Sequence, residues 1–448
     1  MLTDHNVPAP PPQQWSVKKI TLWLAGLLLI LIIATLAYDE KLEPYEDLMP
    51  KRTSVPDATS NGYLFLRERW GKFPEISMDD RTKAKKMQAG LVAWDESLFE
   101  KLKLGRETLR ADLSAALAMP EWLTPPTHTS AQITAENSHV WLTQTASFLE
   151  LEAYAAAQRG GFPDACAIFA DLHKLSARQI EGSSNLINFL IGISLQRSAA
   201  SLCCDLLSFG KLDGLQVQSM TSLWNAEPVA GPALEEAMRG ETAVLRTYLS
   251  MPRSERYTEF SDSKEAKFDF FLLKNNQTQN RYHRRMREWM KGLLQPASTL
   301  EDAKGVKFPT HSKDGINKIS YYFNSNFSGD ELVESAFDGL DRIKHSMTGV
   351  FFTPRAMQVR LALYRWQAAH SGGLPSTLEM LVAEFFASIP SDPWNGKPLM
   401  WDLASETIYA VGNDWKVKVP FFSPAQRAWF AEGYESPGLR LRLAAPPP

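Results

Sequence analysis

The chain has 448 residues, with 48 lysines and arginines against 51 aspartates and glutamates, giving a formal charge of -3. That balance argues against nucleic acid as the main partner, which calls for a strongly basic face, and 22% charged with 44% hydrophobic residues excludes a mostly disordered chain. Three cysteines, none in CxxC spacing, exclude a disulfide-dense scaffold, and the length suggests two or three folded units at roughly 100–200 residues each.

Residues 1–17 contain Pro8, Pro10, Pro11 and Pro12 without apolar periodicity and read as a short flexible cytoplasmic arm. Ile20 to Tyr38, ITLWLAGLLLILIIATLAY, carries no charge along its whole length. A helix of that length spans about 28 Å, close to the ~30 Å hydrocarbon core, and Trp23 and Tyr38 sit near its ends, where amphipathic rings favour the interface. Lys18 and Lys19 precede the run, whereas Asp39, Glu40, Glu43, Glu46 and Asp47 follow it with only Lys41 opposing them. Positive charge stays inside, so residues 18–38 are expected to be a transmembrane helix with a cytoplasmic N-terminus. The bulk is then expected in the periplasm, at a bacterial inner membrane. A cleaved signal peptide is the competing reading, because Thr35-Leu36-Ala37 resembles a small-x-small site. The run is longer than a signal core of about 7 to 15 residues, which favours an uncleaved anchor.

Residues 39–62, with Pro44, Pro50 and Pro56, read as a spacer between bilayer and globule. From Tyr63 to about residue 345 the pattern is helical. Pro74 and Pro120 bracket a proline-free stretch rich in Ala, Leu, Lys and Glu, enough for a long helix or a helical pair. Ser130 to Arg159 is a further helix, stopped at Gly160-Gly161. Pro163 opens another with Ala165, Ile168, Phe169, Leu172 and Leu175 on one face. Gly160, Ala165 and Phe169 stand at offsets that resemble one tetratricopeptide hairpin. No copy follows at Ser194, Ala199 and Cys203, where the next repeat would fall, and an ordinary antiparallel pair explains the offsets as well. Gly182 to Gln196 is apolar nearly all round but short, and it includes Asn185, Asn188 and Gln196, so a buried core helix is favoured over a second crossing. Residues 230–251 and 353–370 read as amphipathic helices. Pro398–Leu403 and Thr407–Val411 read as a β-hairpin that lies back on the preceding helix through Trp401 and Tyr409. The expected fold is mainly α: a transmembrane helix, an exported α-helical domain over 63–345, a small α+β unit over 346–424 with the hairpin, and a tail over 425–448.

No HExxH, GxSxG, GxxxxGK[ST] or GxGxxG occurs, and the eight histidines are scattered without metal-ligand spacing. No catalytic residue and no cofactor is assigned. His173 reads as a surface or satisfied core histidine. Adjacent carboxylates such as Glu235-Glu236 and Asp79-Asp80 diverge by about 100° on a helix and make poor acid–base pairs. Cys166 and either Cys203 or Cys204 could form one bridge in an oxidising compartment, though apolar helical positions favour small buried hydrophobes. The densest cationic cluster is Arg281, Arg284, Arg285, Arg287 and Lys291, with Tyr282 and Trp289 interleaved. It reads either as an anion-binding strip for lipid headgroups, a glycan or an acidic partner, or as a solvated helix face with a local Arg284–Glu288 pair.

Leu363 to Asp414 reads LYRWQAAHSGGLPSTLEMLVAEFFASIPSDPWNGKPLMWDLASETIYAVGND. Through Gly372, Gly373, Pro375, Leu378, Leu381, Ile389, Pro390, Asp392, Pro393, Trp394, Gly396, Pro398, Gly412 and Asp414 it resembles the globular end of type II secretion major pseudopilins. Similar pieces occur in single-pass bacterial membrane proteins of this layout. The resemblance implies a compact α+β unit and one metal candidate, Asp414, since the corresponding loop in pseudopilins helps bind calcium. Here Lys416 and Lys418 follow, poor company for a hard cation. No prepilin processing pattern follows Lys19, so reuse as a folding module is favoured over assembly into a pilus. The expectation overall is a membrane-anchored, non-catalytic binding or scaffolding protein of the envelope, with the lipid bilayer at residues 20–38 and an envelope or secretion-system protein as partners, and no nucleic acid. The competing class is an envelope hydrolase whose site is assembled from distant residues.

Overall fold

Antiparallel helices joined at tight turns form the middle of the molecule. The computed structural model describes residues 25–28, 39–52, 57–70, 77–88, 92–125, 140–225, 230–250, 274–294, 327–382, 384–393, 396–403, 407–410, 420–421 and 440–442. Helix α1 is Gly62–Trp70, α2 Met78–Gln88, α3 Glu96–Lys103, α4 Leu109–Ala118, α5 Val140–Gln158, α6 Phe162–Glu181 and α7 Leu186–Ser208. They are followed by α8 Gly214–Asn225, α9 Ala230–Ser250, α10 Asn275–Leu294 and α11 Phe327–Ala369. Mainly helical architecture is therefore a property of the fold. Of the proposed anchor, residues 25–28 are helical, with Leu27 and Leu28 exposed; the remainder of 20–38 lies outside the described residues.

Local chemistry sets the helix ends. The span between Pro74 and Pro120, expected as one long helix or a pair, holds three helices among its described residues. Asp95 starts α3 by accepting the Leu98 N–H at 3.0 Å, a side-chain cap worth about 1 kcal/mol. Gly105, at φ 75°, turns the chain after α3. Gly160 at φ 79° ends α5, and Pro163 sits in the first turn of α6. Helices α5, α6 and α7 pack successively on one another. On α6 the stripe Ala165, Ile168, Phe169, Leu172 and Leu175 is fully buried.

Helix α7 carries the segment expected as a core helix and extends it to Ser208. Asn185 caps it, accepting the Asn188 N–H at 2.9 Å. Among the described residues it alone is long and apolar enough to cross a membrane, yet 61% of its most apolar window is buried within the protein. Its apolar circumference is consumed by α5, α6, α9 and α11.

The three cysteines remain thiols, with no disulfide between them. Cys203 on α7 lies 3.9 Å from the Met220 sulfur of α8, and Cys204 lies 3.9 Å from the Met357 sulfur of α11. Burial raises the Cys203 pKa well above the ordinary thiol value and pushes Cys166 to about 11. Maleimide applied to the native protein is expected to react slowly at half-buried Cys166 alone, and with Cys203 and Cys204 only in denaturant. Stoichiometric labelling of all three in buffer would contradict this packing.

Helix α11 runs unbroken for 43 residues through Pro354 and past the boundary expected at residue 346. A proline inside a helix removes a hydrogen bond and usually kinks it; here Phe352, Ala356 and Met357 are all buried in the main core beside it. The small C-terminal sheet packs on the same core. Strands β1 (Met400–Asp402) and β2 (Thr407–Tyr409) form the expected hairpin, with Trp401 opposite Ile408. Strand β4 (Arg440–Arg442) pairs antiparallel with β2 and parallel with β3 (Pro420–Phe421). Trp401 is expected from the sequence to face the core with Tyr409. Strand alternation instead puts Ile408 on the Trp401 face, where Ile408 is fully buried and the Trp401 indole N–H donates to the Pro375 carbonyl at 3.1 Å. Leu378, Leu381, Leu399 and Ile408 share one cluster with α6 and α7, so the helical and α+β regions do not separate into independent cores. Gly396, at φ 69°, makes the turn that lets the Asp392 N–H donate to the Lys397 carbonyl at 2.7 Å.

Candidate functional site

The basic strip of α10 has a partner within the chain. Residues 39–52, the first part of the spacer expected over 39–62, lie along α10 and α9 as a strap. The first turn of α10 contains no acidic residue, and Asp39 supplies the missing cap from 237 positions away. Its carboxylate accepts the Asn276 N–H at 2.9 Å and the Gln277 N–H at 3.0 Å, satisfying two orphan donors at the positive end of the helix dipole. One turn on, buried Asn280 donates to the Lys41 carbonyl at 2.9 Å and to Glu40 at 3.2 Å, and accepts the Glu43 N–H at 2.8 Å.

The arginines follow at helical spacing. Arg284 grips both oxygens of Glu43, with Nε at 3.1 and 3.2 Å. Arg287 holds Asp47 through two bonds of 2.7 and 2.8 Å and donates to the Pro44 carbonyl at 2.6 Å. These forked contacts hold the Glu43 and Asp47 carboxyls below their usual range. The local Arg284–Glu288 pair is thus replaced by a bond spanning 241 positions. Arg285 points elsewhere, its guanidinium 4.6 Å from the Phe337 ring of α11. Half-buried Arg281 stands one turn before Arg285, and Lys291 is exposed near the end of the helix. Of the five cations, the structure gathers Arg284 and Arg287 on the strap.

Further along, the Tyr45 ring lies 3.9 Å under the Arg246 guanidinium and 5.5 Å from the His283 ring. Leu48, 2% exposed, enters a core cluster with Trp289 and Met290 of α10 and Ala233 of α9. Glu236 accepts the Lys51 and Arg52 N–H groups at 3.3 and 3.0 Å, and Glu235 pairs with Arg239. Glu235 and Glu236 line one open cleft of about 420 Å³ with Lys51, Arg52, Glu181, Pro232 and Ala233, but each is bound to a different cation or amide. That arrangement is a clasp rather than an acid–base pair.

Among the described residues no group of three or more His, Cys, Asp or Glu side chains is placed to hold a metal, and Asp414 lies outside them. His173 packs edge-on against Trp224 at 4.5 Å, and burial pushes its pKa down to about 4. His283 is likewise pushed to about 4, by burial first and by Arg287 and Arg246 second. A depressed histidine stays neutral in the folded state while the unfolded chain protonates near 6.5. Its contribution is therefore present above pH 6.5 and lost as pH falls toward 4, at a limiting slope of about 1.4 kcal/mol per pH unit for each. Urea midpoints are expected to fall from pH 7.5 to pH 5, and His173→Asn to fall less steeply; identical slopes would show that His173 does not titrate this way.

Sequence reasoning found the arginines but missed Asp39, Asn280 and Leu48. The signal was a run of acids after the apolar segment and a run of cations on a helix, with nothing to show that the two meet. No family model, curated protein or solved structure matches the chain.

Proposed function

We propose that the chain is a single-pass protein of a bacterial inner membrane, anchored by residues 20–38 with its N-terminus cytoplasmic and its helical body periplasmic. Its role is non-catalytic: the body is a binding or scaffolding module carried at a fixed attitude to the bilayer, with an envelope or secretion-system protein as its partner. The observation that carries this reading is the strap. The residues directly after the charge-free run are bonded side chain by side chain to α9 and α10, so the body does not swing on a tether. A catalytic role gains no support from the strap cleft, which has no histidine and whose carboxylates serve the strap.

The pseudopilin-like stretch serves, on this proposal, as a folding module. Its Leu378, Leu381, Leu399 and Ile408 complete the core of the helical body, a use that needs no pilus assembly. The test is topological. A periplasm-active reporter fused after Ser250 is expected to be active, and the full chain to resist carbonate extraction from membranes. A reporter active only in the cytoplasm, or a full-length protein released by carbonate, overturns the proposal.

A further inference from the structure

The strap fixes more than the attachment, because it identifies which face of the body meets the lipid. We infer that the N-terminal end of α10, with Lys41 of the strap beside it, is apposed to the phospholipid headgroups; this rests on the anchor reading above. Asp39 follows Tyr38, the last residue of the apolar run. Adjacent Cα atoms are about 3.8 Å apart, and the Asp39 carboxylate bonds the Asn276 and Gln277 amides directly. The first turn of α10 therefore lies within about 10 Å of the point where the chain leaves the hydrocarbon. The headgroup layer on each side of a bilayer is about 5 to 8 Å deep, so this turn sits at its outer edge.

Direction follows from the order of contacts. The strap meets Asn276 and Gln277 first, then Asn280, Arg284 and Arg287. It climbs the helix from N-terminus to C-terminus as it leaves the membrane. At about 1.5 Å per residue, position 291 lies roughly 21 Å along the axis from position 277. Exposed Lys41, two residues after Asp39, is placed within reach of the lipid phosphates. The apposition is set by covalent reach and the Asp39 cap, so it does not require anionic lipid.

The experiment uses the full chain in phosphatidylcholine vesicles carrying a nitroxide on the headgroup, in a Cys166→Ser background. Cysteines introduced by Gln277→Cys or Lys291→Cys are labelled in turn with a small fluorophore. Quenching at 277 is expected to exceed that at 291 several-fold, and to persist when phosphatidylglycerol is mixed into the vesicles. Flotation of the same samples separates the two claims. Protein that fails to float with the vesicles overturns the anchor and this inference with it. Protein that floats but shows equal quenching at the two positions, or stronger quenching at 291, overturns the apposed face alone.

Discussion

Gly240→Ala is expected to destabilise the protein by more than the ~1–3 kcal/mol usual for overpacking. The residue lies in α9 where that helix crosses the turn into α7. A Cβ there would stand 1.8 Å from the Ser184 carbonyl oxygen, 2.9 Å from its carbon and 3.2 Å from the Asn185 Cα. Those are backbone atoms, so no side-chain rotation relieves the overlap. The turn is also held on every side: the Ser184 N–H donates to Thr124 at 2.9 Å, the Ser184 hydroxyl to the Pro125 carbonyl at 2.8 Å, and the Leu186 N–H to Glu241 at 2.9 Å. Moving it breaks the Asn185 cap as well. Gly231, in the same helix with nothing within 4 Å of its would-be Cβ, is the control. Alanine there is expected to be neutral or stabilising by about 0.5–1 kcal/mol. Urea midpoints of the two variants measure the contrast, and similar midpoints would show that α9 does not cross the turn this closely.

What was legible in the sequence was whatever depends on neighbours in the chain. The α6 stripe follows from 3.6-residue periodicity, its start from Pro163 and the preceding stop from Gly160. The hairpin follows from two short β-rich runs, and α7 declares itself a core helix by its asparagines and glutamine. Errors arose where a rule of local spacing met a tertiary choice. Arg284 has Glu288 at i, i+4, in the weaker cation-first order, but also an acidic strap within reach, and the forked geometry with Glu43 prevails. Asp39, Glu43 and Asp47 read as the negative flank of a membrane segment, which is consistent with their second use and hides it. The Tyr409 expectation failed for a simpler reason: a three-residue strand has one inward position when its centre faces the core, and Ile408 occupies it. The boundary at residue 346 follows the change in motif, while helix α11 is continuous through that position from Phe327 to Ala369.

Leu48→Ala is the second large effect, and it decides what holds the strap. The salt links look dominant, with two arginines forked on two acids. Their side chains, however, are 57% and 36% exposed for Arg284 and Glu43, and 30% and 57% for Arg287 and Asp47. Exposed pairs of this kind contribute little and weaken further in salt. Leu48 is 2% exposed among Trp289, Met290 and Ala233, and truncating a leucine in such a site costs about 2–5 kcal/mol. The apolar anchor therefore outweighs both ion pairs together, and the arginines set the register of the strap along α10 while Leu48 keeps it down. Limited proteolysis at Lys51 and Arg52 reads the strap directly, since both are exposed but have their amides held by Glu236. In 1 M sodium chloride the wild-type cleavage rate is expected to rise only a few-fold. In the Leu48→Ala variant it is expected to rise tenfold or more at low salt, with Glu43→Gln and Asp47→Asn giving intermediate values. A strap freed by salt as fully as by Leu48→Ala would make it an electrostatic latch instead, and would return Arg284 and Arg287 to service as an open anion-binding strip.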